Sequence, residues 1–92
     1  MEYNFFVISY DLHLDKDYQK IKEAIEEISV DWVKPLESFY IIKTHLRPKQ
    51  IRDNLKESMD NDDSIFVIKA DINNWASLRI SKDVTNKIKQ WS

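Results

Sequence analysis

The stretch Asn4-Phe5-Phe6-Val7-Ile8-Ser9-Tyr10 decides the fold, because its aromatic and β-branched residues predict a buried strand. The strand runs directly into Asp11, which opens an acidic cluster that also contains His13, Asp15 and Asp17. A carboxylate at the end of a buried strand has a fixed direction and can hold a cation. The simpler interpretation is that these residues begin a turn or cap the next helix.

Beyond this strand, the hydrophobic pattern alternates between helix and strand. Apolar residues at helical spacing predict a helix over residues 16 to 28, and a second helix begins at Pro48 and contains Ile51, Leu55 and Met59. Strands are predicted over residues 30 to 34, ended by Pro35, then over 37 to 43 and 64 to 70. The predicted order is therefore βαββαβ.

This order predicts an α+β fold, a ferredoxin-like βαββαβ sandwich that forms a single domain over residues 1 to 92. Right-handed crossovers would place both helices on one face of a four-stranded antiparallel sheet, with the first and third strands in the middle. An added C-terminal helix is predicted after Ser81, which can cap it, with Val84, Ile88 and Trp91 on one side.

The other face of the predicted sheet is also apolar, because three strands carry apolar side chains at successive positions. The two crossover helices cannot cover both faces, so the C-terminal helix and a second copy of the chain are expected to cover the rest, which predicts a homodimer. The residues expected on this second face are Tyr40, Ile42, Phe66, Ile68 and Trp75.

Composition limits the possible chemistry. The chain has 92 residues, no cysteine and a net charge of -2, with 42% hydrophobic residues. Without cysteine there is no disulfide, thiolate nucleophile or zinc-thiolate site, which is compatible with a reducing compartment. Neither a signal peptide nor a membrane span is indicated, so a cytoplasmic location is expected. The small net charge means that any nucleic-acid binding depends on a local basic surface.

Three segments carry a resemblance to a known family. Ser9-Tyr10-Asp11, Leu36-Glu37-Ser38-Phe39-Tyr40 and Asp62-Asp63-Ser64-Ile65-Phe66 resemble the strand motifs of the small CRISPR-associated adaptation protein known as Cas-two. The resemblance covers roughly residues 3 to 70. The chain is also similar to short bacterial and phage proteins labelled SinR-like, and more distantly to the virulence-associated protein D ribonucleases. A helix is predicted at residues 81 to 91, where the Cas-two family usually has a further strand.

The resemblance implies a dimer in which Asp11 binds Mg²⁺ or Mn²⁺ and faces its symmetry mate. Some members of the family cleave RNA or DNA with Mg²⁺, whereas others are architectural DNA-binding proteins. The activity expected from this resemblance is metal-dependent endonuclease cleavage. The alternative is a non-catalytic dimeric module that binds nucleic acid or a protein partner.

Period-two geometry adds His13 to the candidate site, because an extended chain would place it on the same side as Asp11, where it could carry a proton. The alternative is a solvated histidine in a loop. Asp15 and Asp17 are expected to cap the first helix. The later cluster Asp60-Asn61-Asp62-Asp63 resembles the start of a calcium loop but lacks its glycine and final glutamate, so it is interpreted as a solvated turn.

One segment of the chain is rich in basic residues, although the total charge is slightly acidic. Arg52 and Lys56 would share a helix face, with Lys49 one turn before them, so a local basic ridge could contact phosphates of RNA or DNA. The alternative is a solvated helix face balanced by the glutamates of the first helix. The candidate residues for nucleic-acid binding are Lys43, Arg47, Lys49, Arg52 and Lys56. The three tryptophans are interpreted as core or interface residues in preference to base-stacking platforms.

Overall fold

The part of the chain that the structure describes forms four strands and three helices. The computed structural model describes residues 2–14 and 17–92. Along the chain, the elements are β1 (Asn4–Asp11), α1 (Asp17–Glu27), β2 (Asp31–Leu36), β3 (Phe39–Thr44), α2 (Pro48–Lys56), β4 (Ser64–Lys69) and α3 (Lys82–Trp91). Asp15, expected to help cap α1, lies outside the described residues, whereas Asp17 lies in the first turn of that helix.

The strands form one antiparallel sheet in the order β2-β3-β1-β4, with the first and third strands in the middle. The protein is therefore a small α+β domain with a four-stranded antiparallel sheet and three helices, broadly consistent with a ferredoxin-like fold. In the described part of the chain, every helix is too short or too polar to cross a membrane.

One face of the sheet is covered by α1 and α2. Phe6, Ile8 and Tyr10 alternate along β1 toward this face, because successive side chains of a strand point in opposite directions. The helices contribute four fully buried residues to this main core, Ile21, Ile25, Ile51 and Leu55. We call this the covered face.

Tyr40 and Ile42 also lie on the covered face, so the prediction that they face away from these helices is wrong. Both are fully buried in the main core. The pairing of β1 with β3 explains this, because Tyr40 lies opposite Ile8 and Ile42 lies opposite Phe6. Directly paired residues of neighbouring strands point to the same side of a sheet.

Helix α3 covers part of the opposite side. Ile88 packs there with Val33 and Ile72 in a second, smaller core. Ser81 caps the helix as predicted, since its Oγ accepts a hydrogen bond from the Val84 amide at 3.4 Å.

Asp31 of β2 fastens α3 to the sheet. One carboxylate oxygen accepts a hydrogen bond from Lys87 Nζ at 2.8 Å, and the other accepts one from Trp91 Nε1 at 3.0 Å. Burial alone would raise the pKa of Asp31, but the bonds from Lys87, Trp91 and the Trp32 amide outweigh it and lower that pKa. The ionised carboxylate therefore holds α3 in place.

The β2–β3 hairpin differs from the sequence-based prediction at two strand boundaries. Pro35 does not end the second strand but lies inside β2, which is possible because β2 is an edge strand whose pairing is irregular between Val33 and Leu36. The third strand begins at Phe39 and not at Glu37, because Glu37 and Ser38 form the turn. Ser38 has a φ of 54°, a left-handed conformation that glycine usually adopts, but the chain has none.

Candidate functional site

The sheet leaves an apolar surface that α3 does not cover. Two cross-strand rows define it: Val7 lies between Ile41 and Ile68, and Ser9 lies between Phe39 and Phe66. Phe66 is 64% exposed and Ile68 is 52% exposed, as expected from the sequence. We call these two rows the open face, and an exposed apolar patch of this kind is often functional.

A groove indents one side of the open face. It has a volume of about 490 Å³ and is lined by Val7, Phe39 and Ile41 of the sheet, by Leu36 at the end of β2, and by segment 70–80. Segment 70–80 contributes Trp75, which is 38% exposed, and Leu78, which is 74% exposed. Phe66 and Ile68 of β4 do not line the groove and stand beside it. The open face therefore has a groove on the β3 side and a ridge on the β4 side.

Asp11 lies at the edge of this surface. It is the last residue of β1, is exposed, and pairs with Ser64 at the start of β4. Two-residue alternation puts Asp11 on the same side of the sheet as Val7 and Ser9. Within residues 2–14 and 17–92, no hydrogen bond or ion pair occupies its carboxylate oxygens. The oxygens are thus available to a cation.

His13 follows a different path from the one predicted. The strand ends at Asp11, Leu12 turns into the main core, and His13 lies in a bend. The His13 amide donates to Asp63 Oδ1 at 2.8 Å, and its Nδ1 lies 3.7 Å from Asp62 Oδ2. In the described ranges, neither a hydrogen bond nor an ion pair joins His13 to Asp11. The imidazole is directed toward the loop before β4.

A second acidic group lies near this bend. Carboxylate oxygens of Asp17, Asp60 and Asp63 all come within 4.8 Å of one another, a spacing that could hold a metal ion. However, Asp63 already accepts hydrogen bonds from the His13 amide and, at 2.7 Å, from the Asp60 amide. These two bonds lower the pKa of Asp63. The turn interpretation of residues 60 to 63 therefore has a structural basis, whereas sequence analysis did not connect this turn to Asp17.

Four of the five candidate basic residues lie at or along α2, where all four are exposed. Arg47 immediately precedes the helix, and Lys49, Arg52 and Lys56 share one side of it by their spacing. The Arg52 guanidinium is paired with Asp53, with Nη2 2.8 Å from Oδ1. An exposed pair of this kind is weak, so a phosphate can compete for Arg52.

Lys43 is separate from this basic group. It pairs with Phe5 and Asp31 in the sheet, on the side that α3 covers in part, whereas α2 packs on the covered face. Its Nζ lies 5.5 Å from the centre of the Tyr3 ring. The five residues therefore do not form one continuous ridge.

Two tyrosines near Asp11 belong to the covered face. Burial is the main cause that raises the pKa of the Tyr10 hydroxyl, with smaller effects from the neighbouring Tyr18 and Glu37. Burial likewise raises the pKa of Tyr40, reinforced by Tyr10 and Glu26. Both phenols stay neutral at physiological pH and face away from the open face, so neither is a candidate acid or base there.

Comparisons with protein-family models, with curated proteins and with solved structures give no match to this chain. The candidate site is therefore defined by its geometry. That geometry consists of an exposed strand-end carboxylate beside an uncovered apolar surface, with a separate group of cations on α2.

Proposed function

We propose that this protein is a homodimeric nuclease that uses Mg²⁺ or Mn²⁺, with a ferredoxin-like βαββαβ sandwich and a resemblance to the Cas-two family. One observation carries the proposal: Asp11 is exposed at the end of a central strand, on the same side as the open face. Two copies that share this face can bring two such carboxylates to one phosphodiester.

The chemistry follows from what one carboxylate per subunit can supply. Mg²⁺ usually takes only one or two protein carboxylates and completes its coordination with water and substrate phosphate. When bound, the metal would activate a water and stabilise charge on the phosphate. Asp11 would hold and orient that metal, because the sheet fixes its direction and its oxygens have no competing partner within the described ranges.

The test is cleavage of labelled RNA and DNA with Mg²⁺ or Mn²⁺. Asp11→Asn keeps the size of the side chain but removes its charge, so we expect cleavage to fall by about two orders of magnitude or more. Asp53→Asn on α2 is the matched control and should leave cleavage unchanged. Asp60→Asn tests the other acidic group: if this variant loses cleavage and Asp11→Asn does not, the metal lies at the Asp17, Asp60 and Asp63 group and our assignment is wrong.

A second candidate function is a dimeric module that binds nucleic acid without cleaving it. The observation that favours it is the exposed cationic side of α2, formed by Lys49, Arg52 and Lys56. Binding without cleavage by the parent protein would select this function. Lys49→Glu combined with Lys56→Glu should then weaken binding and flatten its salt dependence. Lys43→Glu, on the other side of the sheet, is the matched control.

A further inference from the structure

A cavity lies at the end of the sheet opposite Asp11. It has a volume of about 330 Å³ and is bordered by Asn4 and Phe6 of β1, by the turn between β3 and α2, and by Lys69 at the end of β4. Because β1 runs for 8 residues from Asn4 to Asp11, about 24 Å of strand separates this cavity from the candidate metal site. We call it the end cavity.

Strand pairing explains which side chains border the end cavity. Lys69 is paired with Phe6 in the sheet, and directly paired residues point to the same side. Both therefore lie on the covered face, and so does Asn4, two residues before Phe6. The turn after β3 adds His45 and Arg47 to the same cavity, just before α2 begins.

The end cavity has more cationic than anionic side chains. His45, Arg47 and Lys69 all border it and are exposed. Among the described residues that border it, Glu2 is the one carboxylate, so the two permanent cations outnumber it even when His45 is neutral. In the part of the chain that the structure describes, neither Arg47 nor Lys69 takes part in an ion pair. An anion can therefore use both.

We propose that the end cavity binds a phosphomonoester, that is, a terminal phosphate group on a small organic molecule or chain end. Such a group carries a charge of about -1.5 to -2 at pH 7, whereas a phosphodiester carries about -1. The planar guanidinium of Arg47 can bind two phosphate oxygens side by side, and Lys69 supplies a point charge to another oxygen. This site goes beyond the proposed nuclease function and does not depend on Asp11.

The rest of the end cavity suits the group that carries the phosphate. Pockets for small molecules usually measure about 300 to 1,000 Å³, so this one has room for more than a bare phosphate. Three of its lining residues are apolar: Phe6, Leu46 and Pro48. The Asn4 amide can both donate and accept hydrogen bonds. A nucleoside 5′-monophosphate and the 5′-phosphorylated end of a strand present the same chemistry to these groups.

NMR titration of the full chain, without divalent metal, tests the site. Adenosine 5′-monophosphate should shift the amide signals of His45, Arg47 and Lys69 and saturate with a Kd below about 1 mM. Adenosine, which lacks the phosphate, should bind at least about ten times more weakly. Arg47→Gln and Lys69→Gln should each raise the Kd by about fivefold or more, because each removes a charged hydrogen-bond donor.

Two variants separate a built site from general attraction to positive charge. Lys20→Gln removes an exposed cation of α1 that does not border the end cavity, so it should bind as the parent does. Arg47→Lys keeps the charge but loses the two-pronged contact, so its Kd should lie between those of the parent and Arg47→Gln. Equal weakening by Lys20→Gln and Lys69→Gln would overturn the inference. Circular dichroism checks that each variant is folded.

The two sources of the phosphate are distinguished by competition. A short single-stranded oligonucleotide with a 5′-phosphate that displaces adenosine 5′-monophosphate at lower concentration than the free nucleotide would assign the site to strand ends. Weaker displacement would assign it to free mononucleotides. If the same oligonucleotide with a 5′-hydroxyl displaces the nucleotide equally well, or if no saturable shift appears at these residues, the inference is wrong. Either of those results leaves the metal-dependent cleavage of the proposed function untouched, because the titration contains no metal.

Discussion

The two faces of the sheet are made from similar residues but have different environments. On the covered face, Tyr40 and Ile42 of β3 are fully buried beneath α1 and α2. On the open face, Phe66 and Ile68 of β4 are more than half exposed. The difference shows that hydrophobic residues in a small sheet need not all serve the stability of the monomer. Those of the covered face hold the fold together, and those of the open face are available to a partner.

The largest effect should come from placing a charge on each face in turn. Tyr40→Asp puts a carboxylate into the main core, near the carboxylate of Glu26, and should cost at least about 4 kcal/mol, enough to unfold a small domain. Phe66→Asp should cost only about 1 kcal/mol, because the side chain is largely solvated and the main loss is strand propensity. Urea unfolding followed by circular dichroism, at concentrations where the parent is monomeric, gives both values. Equal losses would show that the open face is already covered within one chain.

A smaller loss of stability is expected from a substitution at the contact between α3 and β2, on the side of the sheet opposite the covered face. Asp31→Asn removes the charge that attracts Lys87 and should cost about 1 kcal/mol at pH 7, a value reduced by the solvent exposure of the pair. Folding lowers the pKa of Asp31, so the ionised carboxylate stabilises the folded protein. This stabilisation is fully present above the pKa of about 3.9 that Asp31 has in the unfolded chain, and it is lost as the pH falls through the lower pKa of the folded state.

The gap in unfolding free energy between the parent and Asp31→Asn should therefore close as pH drops below about 4. Asp53→Asn, which removes a carboxylate from the exposed pair with Arg52, should cost only a few tenths of a kcal/mol. A gap for Asp31→Asn that stays constant down to pH 2 would contradict the assigned role of Lys87 and Trp91.

The smallest effect concerns the hairpin that contributes to both faces. Ser38→Gly removes the strain of a non-glycine residue in the left-handed conformation. After the entropic cost of glycine is subtracted, the free energy of unfolding should rise by about 0.5 kcal/mol. Ser9→Gly, in the middle of β1, should instead lower stability by about 0.5 to 1 kcal/mol. Thermal unfolding of the two variants gives the comparison, and a loss of stability in Ser38→Gly would contradict the strain argument.

Sequence patterns were sufficient to predict the seven elements, because each helix has a 3.6-residue apolar pattern and β1, β3 and β4 are rich in β-branched and aromatic residues. It could not assign Tyr40 and Ile42 to a face, since β3 is apolar at successive positions. Their orientation depends on the pairing of Tyr40 with Ile8, which is a long-range property. Pro35 was misinterpreted for a related reason: it is tolerated only because β2 is an edge strand.

The candidate site also has parts that a local sequence pattern predicts and parts that depend on long-range contacts. The position of Asp11 at the exposed end of β1 could be predicted from the sequence, because a strand that ends in a carboxylate is a local pattern. The group of Asp17, Asp60 and Asp63 could not, because α1 and the loop before β4 are far apart in the chain. Lys43 lies on the side of the sheet opposite α2 because of how β3 pairs and how α2 packs. The number of basic residues in a segment does not predict either of these.

The three tryptophans give the two faces separate optical signals. Trp32 packs against Tyr40 in the main core, and Trp91 packs against Phe5 with its indole hydrogen-bonded to Asp31. Trp75 donates its indole N–H to the Ile72 carbonyl, but its ring remains partly exposed on the wall of the groove. Its fluorescence therefore depends on whether water or another molecule fills that groove. The chain carries an intrinsic emission probe of the open face, and Trp32 and Trp91 supply the constant background.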